Sequence, residues 1–256
     1  MEFEKSPGCW FTVYSSFYLC PLDRLFVITL ILFSSVTVSV PSLLASDTSS
    51  LDFEPHEQAR YLENNSTFHL KRSFRHPASD TLVRFLFEEL DVNAATVRGW
   101  HLLDLHASRI DTRIYRVRVG NRMEGTTYKL GIESGRARYV GQGIYRQDYL
   151  PFAIEGAALM DLEWNSLPDT PAVEITATLR LRPTSEILHL LGTLLHPVAE
   201  SALHDALDRV IEIGRSQARI IRKHPERTTN RLKRIDETYA RTWDDFHKEN
   251  LNPGPS

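Results

Sequence analysis

The clearest pattern in the chain alternates. In AVEITATLRLR, Ala172 to Arg182, the side chains of Val173, Ile175, Ala177, Leu179 and Leu181 point one way. Glu174, Thr176, Thr178, Arg180 and Arg182 point the other. A period of two predicts a strand with one buried and one wet face. After Pro183 the period becomes helical and runs to Ile221. Pro197 divides this stretch, as suits the first turn of a second helix. Leu203, Ala206, Leu207, Val210, Ile211, Gly214 and Ala218 form the apolar stripe of the second part. A helix so apolar must lie on the sheet that the strand completes.

Earlier runs supply that sheet. Thr67 to His76 alternates, with Phe68, Leu70 and Phe74 on one face and an odd Arg72 among them. A strand-end arginine that snorkels is the favoured reading of Arg72, against a buried pocket charge. Ser79 or Asp80 then caps a helix whose stripe is Leu82, Phe85, Leu86 and Leu90. Asp91 to Ala95 reads as a break, followed by strand-like runs. These are Val97–Ala107, Thr112–Val119, Thr126–Ser134, Arg136–Tyr145 and Ala157–Trp164. Ser134-Gly135 marks a hairpin turn, and Gly141 and Gly143 permit curvature. Short links imply antiparallel neighbours. The expected class is α+β: a curved antiparallel sheet gripping a long C-terminal helix.

The two ends of the chain differ from this body. Leu25 to Ala45 is an uncharged apolar run, long enough to span a bilayer. Arg24 precedes it and Asp47, Asp52 and Glu54 follow, which favours an outward C-terminus. A cleaved signal peptide and a retained membrane anchor are equally compatible with it. Residues 1–46 are therefore signal peptide or anchor, 47–65 a linker with a helical turn at His56–Asn64, 66–221 the domain and 222–256 a charged helical extension and tail. The expected location is extracytoplasmic. Along the extension Leu232, Ile235, Tyr239, Trp243 and Phe246 share one helical face that can dock.

Charge and composition then remove function classes. A net charge of −3 gives no general attraction to nucleic acid. Cys9 and Cys20 are the only cysteines and both precede the apolar run, so the domain has no thiol nucleophile or Cys-based metal site. The overlapping sequons at Asn64 and Asn65 matter only in a eukaryotic secretory setting. No phosphate-binding glycine loop, nucleophile elbow or zinc-protease helix is present. His204, Asp208 and Glu212 are spaced for one helical face, where a solvated polar surface is favoured over a metal site. Arg116, Arg118, Arg136 and Arg138 form a basic cluster, read as a wet face balanced by acids rather than a lipid head-group site.

FRHPASDTLVRFLFE near the start and LRLRPTSEILHLLGTLLHPVAESALHDALDRV at the end carry a resemblance. Over about Thr67 to Ile221 the chain resembles the START-like, helix-grip superfamily (SRPBCC), especially its polyketide cyclase and lipid-transport branches. The resemblance implies a hydrophobic cavity between the last helix and a curved sheet. It implies a lipid-like or other apolar ligand, and it brings no universal catalytic residue and no cofactor. The candidate lining comes from the inward strand positions: Tyr115 and Val117, Tyr128 and Leu130, Tyr139, Met160 and Trp164, Val173 and Ile175. Leu203, Leu207 and Val210 face them from the helix. Three functions compete: an exported or membrane-tethered binding module, a cyclase- or hydrolase-like enzyme, and an interaction protein with a filled core. The enzyme would need a polar group in the cavity, with Arg72 and His101 as its candidates. The interaction protein would use the docking face of the extension.

Overall fold

The computed structural model describes residues 54–146, 153–186, 189 and 196–250, with the side chains of 196–198 left aside. The expected signal or anchor segment lies outside the described residues. Among those described, no helix is long and apolar enough to cross a membrane.

Helix α1 (Pro55–Asn65) leads into strand β1 (Phe68–His76), then helices α2 (Asp80–Glu88) and α3 (Leu90–Gly99). Six strands follow: β2 (Leu105–Asp111), β3 (Ile114–Val119), β4 (Met123–Glu133), β5 (Arg136–Tyr145), β6 (Ile154–Ser166) and β7 (Val173–Pro183). The chain ends in α4 (His196–Lys223), α5 (Pro225–Lys233) and α6 (Glu237–Asn250). All strands join one antiparallel sheet in the order β1-β7-β6-β5-β4-β3-β2. A strand, a helix pair, a six-strand meander and a long helix make the helix-grip arrangement, as expected.

Local chemistry explains most boundaries. Ser79 caps α2 by accepting from the Leu82 backbone N–H at 3.3 Å. Gly135 turns the β4–β5 hairpin with φ of 74°, a region open to glycine. One stretch departs from expectation. Residues 91–99 are helical, and the strand starts only at Leu105. Val92, Ala95 and Val97 bury the inner side of that helix, so packing decides where local alternation is weak.

The sheet is covered on both faces. The concave face carries the main core: Tyr139, Trp164, Ile175 and Ala177 of the sheet meet Leu82, Phe85 and Val92 of α2 and α3. Ala218 and Ile221 of α4 join them, with Leu232 of α5 and Trp243 and Phe246 of α6. The stripe expected to offer a docking face is therefore spent inside the molecule. Phe85 stacks on Phe246 with ring centres 4.0 Å apart, and Ile235 and Tyr239 pack beside them. Residues beyond Ile221 complete the core rather than trailing from it.

The opposite face carries a second, smaller core, where α1 sets Ala59 and Leu62 on Val140, Ala157 and Leu159. Arg182 fastens the end of α1 by donating to the Asn65 carbonyl at 2.8 Å and covering the Tyr61 ring. The helical turn expected within the linker at His56–Asn64 is a full structural helix packed on the sheet.

Candidate functional site

The twelve candidate lining residues fall into four groups. Tyr115, Tyr139, Trp164, Val173 and Ile175 are buried on the concave face. Their polar atoms are committed to holding α2. Its last carbonyls have no partner within the helix. Tyr139 Oη donates to the Phe87 carbonyl at 2.6 Å. Tyr115 Oη and Lys129 Nζ both donate to the Glu88 carbonyl, at 3.2 and 3.1 Å. Trp164 Nε1 donates to Asp80 Oδ1 at 2.6 Å, at the start of the same helix. Burial pushes the Tyr115 phenol up to about 12, and burial drives the Tyr139 phenol higher still. Both stay protonated at neutral pH and serve as fixed donors.

Val117 and Met160 lie on the same face and are only half-buried, Met160 directly beside Tyr139 and packed against the main core. Val119, Thr127 and Leu179 share that surface and are half-buried too. Leu203 and Leu207 of α4 are half-buried on the stripe that continues through Ile211, Ala218 and Ile221. These seven residues form a half-buried part of the concave layer. Gly125, Gly141, Gly143 and Ala158 sit among the inward positions there and add almost no volume. Gly125 and Gly143 face each other across the strands. A Cβ on Gly143 would meet the Glu124 carbonyl at 2.6 Å, so this close crossing needs glycine.

Tyr128 and Leu130 are on the opposite face. A bulge between Lys129 and Gly131 breaks the alternation of β4. Ile132 stays in the main core, while Tyr128 and Leu130 pack with α1. There they line a groove of about 680 Å³ with Pro55, Gln58, Arg113 and Ile114. Val210 is 59% exposed, because α4 turns the adjacent Ile211 inward instead.

The polar candidates have other partners. Arg72 pairs with Asp208 of α4 at 3.2 Å. His101 is exposed in a turn with φ of 56°. His204 faces Glu200 at 3.7 Å, and Glu212 faces Arg215 and Arg219. Among the described residues no group of three His, Cys, Asp or Glu could hold a metal. Arg136 and Arg138 converge with Arg180 on Asp161, and Arg138 also meets Glu63 of α1. That cluster fastens α1 to the sheet. Arg116 and Arg118 remain exposed on β3.

Several buried polar residues were not anticipated, and His76 is the one that joins two elements of the concave layer. His76, at the end of β1, is 6% exposed and packs under α4. Sequence alternation does place it with Phe68, Leu70 and Phe74, which was the available signal.

No family model matches the sequence, and no curated protein matches it. Solved structures are similar in fold at low identity. A conserved protein from Geobacillus kaustophilus is 10% identical with a TM-score of 0.41, over 60% of this chain and 97% of that one. Ara h 8.0201 is 8% identical with a TM-score of 0.40, over 59% and 97%. XoxI from Bacillus cereus is 9% identical with a TM-score of 0.40, over 59% and 94%. None is similar enough to bring a function with it.

Proposed function

We propose that the chain binds an apolar, lipid-like small molecule against the half-buried part of the concave face. The observation that carries this reading is the uneven burial of one sheet face. Tyr115, Tyr139 and Trp164 are sealed, while Val117, Met160, Leu203 and Leu207 keep accessible apolar surface in the same layer. A concave apolar surface with few convergent polar groups is the usual form of a small-molecule site. Within the helix-grip superfamily this corresponds to the lipid-transport branch. The cyclase alternative has Arg72 ion-paired and His101 exposed in a turn. The apolar run Leu25–Ala45 would export or tether the domain, giving it a place among membrane lipids.

The test is extraction of the full chain, purified from its host, followed by mass spectrometry of the organic phase. A recurrent apolar molecule at near-stoichiometric amount is the expected result. Preparations that are always empty and take up no fluorescent fatty acid would overturn the reading.

A further inference from the structure

His76 joins the edge strand β1 to the grip helix α4. Its ring is buried, and its Nε2 lies 3.7 Å from where a side chain on Gly214 would begin. Its Nδ1 is buried with no hydrogen-bond partner. A charged imidazolium needs two acceptors, and this position supplies the Gly214 backbone alone.

The surroundings are cationic. From α4, Arg215 stands beside the ring, donates to the Arg75 carbonyl at 3.1 Å and covers Phe74. Arg222 of the same helix donates to the Pro77 carbonyl at 3.0 Å. Arg75 of β1 lies opposite Glu174 of β7. Glu212 is held by Arg215 at 3.5 Å, and Asp80 of α2 by Trp164. The nearby acids therefore all have other partners or neighbours, and none is placed to neutralise a charged His76.

We propose that His76 is an acid-sensitive latch: neutral, it lets α4 lie on β1, and protonated, it drives the helix off the concave face. Its use in releasing a bound apolar molecule rests on the function proposed above, whereas the latch itself does not. The linkage has a definite sign. Burial lowers the His76 pKa to about 4, with Arg215 adding to the effect and the Gly214 backbone opposing it. With α4 lifted, the ring regains its ordinary value near 6.5. The closed form is favoured fully above that value and loses ground as the pH falls toward 4. Between pH 7 and pH 5 the opening equilibrium rises about 20-fold.

Hydrogen exchange on the full chain tests this, with rates corrected for the intrinsic effect of pH. Protection of the α4 amides from Ile211 to Ile221 should fall about 20-fold from pH 7 to pH 5, while β5 and β6 keep theirs. His76→Gln keeps a donor for Gly214 but cannot titrate, and its α4 protection should be the same at both values. Unchanged protection in the natural chain would overturn the latch. So would a His76→Gln chain that loses protection equally, since other groups would then cause the opening. A fluorescent fatty acid added at pH 7 separates the two claims. Failure to bind it there counts against the ligand, and the exchange data alone decide the latch.

Discussion

The concave face is one layer, yet its residues are finished differently. Tyr115, Tyr139 and Trp164 fill the space under α2 and spend their polar atoms on its termini. Among and beyond them, glycines and Ala158 take inward positions without bulky side chains, and Val117, Met160, Leu203 and Leu207 are left half-buried. The first set is a core that fixes helix positions. The second is where the proposed ligand would lie. Substitutions that change volume should therefore have opposite consequences in the two sets.

The largest effect is expected at Trp164. Trp164→Ala removes a large buried ring that touches Phe87 and leaves Asp80 without its donor. The expected loss is about 3–5 kcal/mol in urea unfolding. A loss under about 1 kcal/mol would mean that this set is not sealed as described, and the contrast with the half-buried set would collapse.

The tyrosines sharpen the same contrast at smaller scale. Tyr139→Phe leaves the Phe87 carbonyl without the donor it has now, at an expected cost of about 1–3 kcal/mol. Tyr115→Phe should cost less, because Lys129 still donates to the Glu88 carbonyl. Urea unfolding of the two single variants reads this order directly. Equal costs would show that Lys129 does not satisfy that carbonyl by itself.

How much of this was legible follows from which forces acted locally. The alternation of β7 is a local signal, and its inward set Val173, Ile175 and Ala177 is the set that is buried. The Ser79 cap is equally local. The bulge at Lys129 and Gly131 left no mark in the hydrophobic pattern, so Tyr128 and Leu130 were assigned to the wrong face. On α4, Val210 and Ile211 are adjacent and both apolar, and only the packing against β1 and α3 chooses between them. The uneven burial was illegible for a further reason. It arises from which helices cover which strands, and no strand alone contains that information.

The smallest expected change in stability is at Val117, and it is the most direct probe of the half-buried set. Val117→Phe adds volume to a position half-buried on β3, across from Gly125. In a filled core such overpacking costs about 1–3 kcal/mol. If a ligand space adjoins Val117, as proposed, the ring can occupy it, so unfolding should shift by less than about 1 kcal/mol. The same substitution should weaken binding of a fluorescent fatty acid at pH 7, because ring and ligand compete for one volume. A chain that loses stability without losing binding would place the site elsewhere. A chain that loses neither would mean that the space at Val117 is large enough for both. The pairing of an unfolding curve with a binding curve thus measures the space itself, which neither measurement does alone.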